Sequence, residues 1–498
     1  MTVVEREIKL AAPPANALPP LSDPLAGVVA EPEHTEQLLA IYYDTDDLRL
    51  TRAGASLRHR NDEGWAVKLP RAVGANGRLD RATYAFRGEA GAPPTEALEL
   101  VRALARSASV RPVARLRTTR RAVRLHTSTG TPIGEVVDDD VTVLGPEGSM
   151  SGFRELEFEL ADDAPEAQAA SIVARLRASG AGPPDPTPKI VRALGPRAAE
   201  PPDVGVPPDE AHTVADVVRV ALAGPVARRV AHDPGVRRGD DPEDVHQARV
   251  ATRRLRSHLR TFGPLVDETW AEPLRDELGW LGHALGAVRD ADVLLERLEA
   301  RVEALPGEDR HAAERLLDRL RIERDQARDE LLTTLRSHRY AVLLDRLVDA
   351  ARQPRLLIRT DSASDADVLR GLVRDAWEHL ADAVGALPEH PEDEALHAIR
   401  RRAKRARYAA EAVEPAFGKP ARALARAITE VQDVLGEHQD GVVASDWLRR
   451  AAAAVHDESA AFTAGEIVAC ERQAAAAGRA AWTGTWHAAS RRKHRAWL

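Results

Sequence analysis

The residue pattern of this chain changes period near a proline-rich stretch, Gly195-Pro196 to Pro207-Pro208, and that change restricts the fold to two unlike parts. Before it lie short segments that alternate with period two: VVEREIKL, AIYYDT, ASLRHRN, WAVKLP, RATYAF, RAVRLHT, GEVVDDDVTVL and FRELEFEL. Such alternation predicts strands. Turn-rich pieces such as Gly74-Ala75-Asn76-Gly77 and Gly145-Pro146-Glu147-Gly148 separate them, which suits antiparallel hairpins better than crossover helices. Two helices are expected among the strands, near 94–107 and 164–178. Beyond residue 212 the pattern turns to long Ala/Leu/Arg helical segments broken at Pro264, Pro306, Pro354, Pro388 and Pro415. The expected fold class is α+β and multidomain, with an antiparallel β part carrying helices over 1–197, a linker over 198–212, and an all-α part over 213–498. Length alone, 498 residues, implies roughly two to four domains.

The α part contains an internal repeat. VHQARVATRRLRSHL at 245–259 matches LHAIRRRAKRARYAA at 396–410, and LGAVRD at 285–290 matches LGEHQD at 435–440. The repeats are expected to span about 213–360 and 361–498. On a helix, His246, Arg249, Arg253, Arg256 and Arg260 fall within an arc of roughly 80°, while Ala248, Ala251, Leu255, Leu259 and Phe262 form a separate apolar face. The second copy has His397, Arg400, Lys404 and Arg407 against Ile399, Ala403, Ala406 and Ala410. A solvated helix face mixes signs to gain i,i+4 pairs. Here 246–260 holds five Arg and no acid, and 397–408 holds five Arg plus Lys404 and no acid. Two single-sign stripes in one register point to a bound polyanion rather than to solvent.

The chain as a whole carries a net charge of −8, so anion binding must come from such local clusters. Few aromatics interleave with the stripes, Tyr408 being the main exception, and a nucleic-acid reader would need stacking platforms or groove-reading Asn and Gln. A phosphate chain fits better, because guanidinium forks grip phosphate oxygens at two points. The single cysteine, Cys470, excludes an intramolecular disulfide, and no run approaches the ~20 apolar residues of a membrane helix. A cytoplasmic location and no membrane partner are expected.

The paired His/Arg helices with their following L-G-x-x-x-D segments resemble the CHAD domain, the conserved-histidine α-helical domain. That resemblance covers about 213–498 and implies two pseudo-symmetric helical bundles flanking a basic surface that binds inorganic polyphosphate, with polyphosphate granules as a place of action. It also implies that Arg289, Asp290 and Asp440 pair or cap near the basic helices.

In the β part the alternating positions are charged: Glu5, Glu7 and Lys9; Arg58 and Arg60; Arg115, Arg117 and Arg121; Glu135 and Asp139; Glu155, Glu157 and Glu159, with Lys68 ending WAVK. A polar strand face of this density meets either bulk water or a wet interior. Carboxylate strands and guanidinium strands in one small sheet would neutralise one another unless something sits between them. A metal-bound phosphate chain has the needed pattern, since carboxylates hold Mg²⁺ or Mn²⁺ and the cations neutralise the remaining phosphate oxygens.

The set E-x-E-x-K at 5–9, YYDT at 42–45, LRHR at 57–60 and ELEFE at 155–159 resembles the CYTH family of triphosphate tunnel metalloenzymes. By that resemblance the fold is a closed eight-stranded antiparallel tunnel. Glu5, Glu7, Glu155 and Glu157, with Asp139 or Glu159, would bind Mg²⁺ or Mn²⁺. Lys9, Arg58, Arg60, Lys68, Arg115, Arg117, Arg121 and Lys189 would bind the triphosphate, and Glu5, Glu7 and Lys9 would be the residues most needed for turnover. The registers of Arg120 against Arg121 and of Asp138 against Asp139 stay open. No Ser, Cys or His motif suggests a covalent intermediate, so the expected chemistry is in-line attack of a metal-activated water on the terminal phosphorus. The function these features imply is hydrolysis of inorganic triphosphate or a short polyphosphate, joined to polyphosphate binding. Two competitors are a polyphosphate-binding or granule-targeting protein with a sensing tunnel, and a thiamine-triphosphatase or adenylate cyclase on the same fold.

Overall fold

A computed structural model describes the chain except residues 1, 13–17, 24–25, 74–78, 146–149, 205–210, 212 and 358–363; for 2–6, 71–73, 79–81 and 150 it describes the backbone alone. The chain divides into two units, Met1–Asp203 and Val204–Leu498.

The first unit is built on nine strands: β1 (Thr2–Ala11), β2 (Val28–Ala30), β3 (His34–Asp44), β4 (Ser56–Arg60), β5 (Gly64–Val73), β6 (Leu79–Phe86), β7 (Arg111–Thr127), β8 (Pro132–Leu144) and β9 (Met150–Leu160). All pairings are antiparallel, and the order β7-β3-β4-β5-β6-β1-β9-β8 closes through a β7–β8 ladder into a ring of eight, with β2 added along the end of β7. Closure removes the sheet edges that would otherwise need covering.

The strands wear their apolar side outward. Leu10, Val136, Leu156 and Phe158 pack with Ile172 and Leu176 of α4 (Glu166–Ala178). Across the ring, Tyr43, Leu57, Trp65 and Val67 pack beneath α2 (Thr95–Leu100) and α3 (Arg102–Ala105), through Ala97, Leu100 and Ala105. Each large side chain buried this way contributes about 1.5–3 kcal/mol. Because side chains alternate, the opposite parity of the same strands is left to face the ring's interior. Gly134 sits at φ +150°, where an added Cβ would collide with the Glu159 carbonyl of the neighbouring strand. Asp44 of the YYDT segment is buried and accepts hydrogen bonds from Leu50 N (2.9 Å), Thr51 N (2.8 Å) and Thr51 Oγ1 (2.7 Å), which fixes the turn into α1 (Arg49–Arg52).

The proline-rich stretch begins inside this unit. After α5 (Lys189–Leu194) comes a 3₁₀ turn, Pro196–Ala199, and Asp203 pairs with Arg106 while Arg52 donates to the Pro201 carbonyl at 3.0 Å. The segment expected as linker from 198 is therefore bound to the β unit as far as 203.

The second unit is helical: α6 (Val214–Arg238), α7 (Pro242–Thr261), α8 (Glu268–Glu303), α9 (Gly307–Arg336), α10 (His338–Arg352), α11 (Asp365–Gly385), α12 (Asp393–Ala412), α13 (Glu414–Phe417), α14 (Lys419–Val455), α15 (Glu458–Ala489) and α16 (Arg492–Arg495). Side-chain caps start many of them, among them a Thr213/Asp216 capping box on α6 and Asp241, Asp267, Ser364 and Asp457 on α7, α8, α11 and α15. α7 lies against α8, α12 against α14, and α7 and α12 touch each other. Leu298, Leu316 and Leu320 join Leu448, Ala464 and Ile467 in a core shared by α8, α9, α14 and α15. Among the described residues no helix is long and apolar enough to cross a membrane.

Candidate functional site

Inside the ring, Glu7 and Lys9 of β1, Arg58 and Arg60 of β4, Lys68 of β5, Arg120 of β7, and Glu157 and Glu159 of β9 line a cavity of about 140 Å³. Tyr42 is the one aromatic ring among its described lining residues, and Lys189, at the first position of α5, closes in from outside the sheet. Proline 188 precedes Lys189, fixing the turn so that the helix begins at the lysine.

The carboxylates and ammonium groups are in direct contact. Lys189 Nζ lies 2.9 Å from Asp139 Oδ2, 2.7 Å from Glu155 Oε1 and 2.8 Å from Glu157 Oε2. Lys9 pairs with Glu157 and stands 3.5 Å from Glu155 and 3.9 Å from Glu7. Arg120 grips Asp139 at two points (3.0 and 2.8 Å) and reaches Glu157 at 3.5 Å and Glu159 at 3.8 Å. Arg60 forks onto Asp62 (2.6 and 2.8 Å), and Arg58 meets Glu63 at 2.9 Å.

These contacts set the protonation states. Burial opposes the charge on Lys189, but Asp139, Glu157 and Glu155 outweigh it and hold the ammonium well above its ordinary value; Lys9 is raised against the same desolvation by Glu157 and Glu155. Burial would lift Glu157, yet Lys189, Lys9 and Arg120 hold it well below the carboxylate range, and Asp139 is lowered in the same way by Lys189 and Arg120. For Glu155 burial prevails over both lysines, and for Glu159 burial adds to repulsion from Glu157, so both are raised. Tyr42, which burial alone would raise, is lowered by Arg58, Lys189 and Lys68.

Of the expected tunnel residues, Glu7, Lys9, Arg58, Arg60, Lys68, Asp139, Glu155, Glu157, Glu159 and Lys189 are brought together. The side chain of Glu5 lies outside the described residues; its backbone pairs with Arg81 across β6. Three expectations are corrected. Arg115 and Arg117 are exposed, and Arg121 pairs with Asp138 at 2.6 Å on the face where Arg154 also binds Asp138. Arg120, not Arg121, takes the inward place, with Asp139 rather than Asp138. The physical reason is that β7 carries charge on both parities, while its inward positions at one end hold Leu116, packed with Tyr42, Val141 and Ile190. Cross-strand neighbours share a face. Asp139 stands opposite Glu155 and Arg120, so the ELEFE carboxylates already identify the inward parity once the ladder is known. The sequence reading also missed Arg192, whose Nε lies 3.4 Å from Glu155.

The donors suit a hard divalent cation, being carboxylate oxygens, and the buried oxygens of Glu155 meet the cations of Lys189, Lys9 and Arg192. Among the described residues no three metal-binding side chains converge on one point, because lysine ammonium groups stand between the carboxylates.

In the second unit the two cationic stripes meet. Arg253 of α7 donates to the Tyr408 hydroxyl of α12, and Arg253 and Arg407 lie over the Tyr408 ring at 5.6 and 4.5 Å. Arg254 and Arg407 share Glu411, at 3.2 and 3.4 Å. Lys404 is lowered to about 8, first by burial and then by Arg400, Arg253 and Arg249, which places cations of both copies around one amine. His246 and His397 are lowered by burial and by neighbouring arginines. Arg260 is lowered first by burial and then by Arg405, Arg275 and Arg256.

The L-G-x-x-x-D segments explain how two arginines are seated. Arg249 passes over Gly286 of α8 to Asp290 (2.9 Å), and Arg400 passes over Gly436 of α14 toward Asp440 (3.9 Å). A Cβ at Gly436 would stand 2.8 Å from Arg400 Nη2. Gln439, in the place of Arg289, accepts through its Oε1 at 2.9 Å from His397 Nδ1.

Two domain models match the chain, CYTH over residues 4–184 and CHAD over 221–449. The uncharacterized proteins MT2285 and Rv2226, from two strains of Mycobacterium tuberculosis, are each 34% identical over 479 residues, covering 91% of this chain and 88% of theirs. Among solved structures, PptA from Streptomyces chartreusis (25% identity, TM-score 0.46) and the CHAD domain of the plant Ricinus communis (26%, 0.46) each cover 56% of this chain, and 100% and 93% of their own. With both domain models in order and near full-length identity to those mycobacterial relatives, the chain belongs to the family of proteins in which a CYTH domain precedes a CHAD domain.

Proposed function

We propose that the tunnel hydrolyses inorganic triphosphate or a short polyphosphate with Mg²⁺ or Mn²⁺, and that the helical unit binds polyphosphate. The observation that carries the first part is the closed ring lined by cations and carboxylates in contact around a cavity of about 140 Å³. The CYTH family includes triphosphatases and adenylate cyclases. The size of the cavity favours the former, because it is well below the ~300–1,000 Å³ that enclose drug-sized ligands, and its single ring, Tyr42, offers little to a nucleoside or thiamine.

In this reading Glu7, Glu157 and Glu159, with Glu5, Glu155 and Asp139, hold the divalent ion, which supplies charge neutralisation at the phosphate oxygens. Lys9, Lys189, Arg120, Arg58 and Lys68 bind and orient the chain of phosphates; Arg60 reaches it by exchanging Asp62 for a phosphate oxygen. Catalysis then rests on positioning and charge stabilisation, with the ring excluding bulk water. Burial raises the pKa of Glu159 and Glu155, which favours them over Glu157 as acceptors of a proton from the attacking water. His246, Arg249, Arg253, Arg256, Arg260, His397, Arg400, Lys404 and Arg407 form the polyphosphate surface.

The test is phosphate release from triphosphate, ATP, thiamine triphosphate and long polyphosphate with each metal, comparing the wild type with Glu7→Gln/Glu157→Gln. Triphosphate turnover abolished in the variant is expected. Absence of metal-dependent turnover of every substrate by the wild type refutes the hydrolase reading, and unchanged polyphosphate binding by Arg253→Ala/Lys404→Ala refutes the stripe assignment.

A further inference from the structure

A second open cavity, about 530 Å³, lies in the helical unit and is lined by Trp270, Arg346, Asp349, Arg352, Gln353 and Arg355. Its size falls within the range of sites that take whole small molecules. Two elements build it. Arg346 and Asp349 stand at i and i+3 near the end of α10, so they share a face, and Gln353 is the residue just beyond the helix. Arg355 follows on an extended segment that pairs with the start of α8: Val266 and Leu356 form an antiparallel bridge, Asp267 N donates to Arg355 O at 2.9 Å, and Leu357 N donates to Leu265 O at 2.9 Å. Trp270 stands in the first turn of α8, one turn beyond that bridge.

Among the described residues Arg346, Arg352 and Arg355 form no ion pair, and the Trp270 indole N–H makes no hydrogen bond. Asp267, the acid that senses Arg355, has its Oδ1 taken by Thr269 N (2.9 Å) and Thr269 Oγ1 (2.7 Å). Among the described lining residues three guanidinium groups stand with the one carboxylate of Asp349. By contrast, Arg321 on α9 is laced with Glu299, Glu314 and Asp318.

We propose that this cavity binds a nucleotide, its phosphates held by Arg346, Arg352 and Arg355 and its base against Trp270. Guanidinium forks match phosphate oxygens, and an indole offers any base a stacking face. The tunnel and the stripes supply phosphate contacts with little aromatic surface, whereas here the two chemistries share one wall. The proposal stands whether or not the tunnel is a hydrolase.

The experiment is calorimetric titration of the full chain with ATP and, separately, with inorganic triphosphate, both without divalent metal. The variants are Trp270→Leu, Trp270→Phe and Arg352→Gln/Arg355→Gln. ATP affinity at one site is expected to fall at least tenfold in Trp270→Leu and in the arginine variant, with Trp270→Phe staying within about threefold of wild type. Triphosphate binding is expected to be unchanged by Trp270→Leu. ATP binding unaltered in both Trp270→Leu and the arginine variant overturns the proposal. So does an arginine variant that weakens ATP and triphosphate alike while Trp270→Leu weakens neither, because that describes a bare phosphate surface.

Discussion

Lys189→Met tests how the tunnel is held together. The substitution keeps the side chain's reach and removes an ammonium that lies 2.7–2.9 Å from three carboxylates and is 14% exposed. Removing one partner of a buried ion cluster costs about 3–5 kcal/mol, because the remaining charges are left in a poorly solvated place. Proton uptake relieves part of that cost. Glu155 already has a raised pKa, and without Lys189 the carboxyls of Glu155, Glu157 and Asp139 all move upward. A carboxyl whose folded pKa lies above its unfolded value binds more protons in the folded state, so the variant loses stability as pH rises from the ordinary carboxylate value to the raised one. The deficit relative to wild type should therefore be larger at pH 8 than at pH 5, each unit of upward shift being worth about 1.4 kcal/mol. Hydrogen exchange of peptides from β8 and β9 measures local opening free energy without assuming that the two units unfold together. Protection within 1 kcal/mol of wild type at both pH values would refute the reasoning.

Further outcomes follow from the same geometry. Arg120→Gln should lower kcat/KM for triphosphate by about 10²–10³, the loss typical of one charge-stabilising donor, while Arg121→Gln should leave turnover near wild type. Equal losses in steady-state kinetics would mean that the inward parity of β7 is wrong. Gly436→Ala should reduce polyphosphate affinity roughly tenfold by displacing Arg400, with the helical content unchanged by circular dichroism. Polyphosphate affinity should weaken as pH rises through about 8, because Lys404 loses its proton there, and Lys404→Arg should flatten that dependence in a filter-binding series.

The fold was legible where one physical requirement dominated. The strand of ELEFE has one apolar and one charged side, so both its conformation and its inward face follow from period-two alternation. The helices announced themselves by stripe and cap. The reading failed on β7, where RLRTTRR places arginine on both parities and only the ladder to Asp139 and Glu155 decides between them. The short helices α1 and α5 were also hidden, since four to six residues give too little periodicity. Asp44 belongs to the YYDT segment, and its carboxylate is consumed by backbone donors that no linear pattern reveals.

The contact of Lys9, Lys189 and Arg120 with the tunnel carboxylates has a consequence for how this protein responds to its medium. On the proposed function, a phosphate chain with its metal would enter such a tunnel by exchange of partners, as two salts exchange ions, and the count of charges before and after would stay nearly the same. Its uptake should depend weakly on ionic strength. The stripes of α7 and α12 hold cations with few acids between them, so a polyanion there displaces condensed counterions and its affinity falls steeply as salt rises. On the proposed function, one chain would carry two anion sites of opposite temper, one governed by fit and the other by the salinity around it.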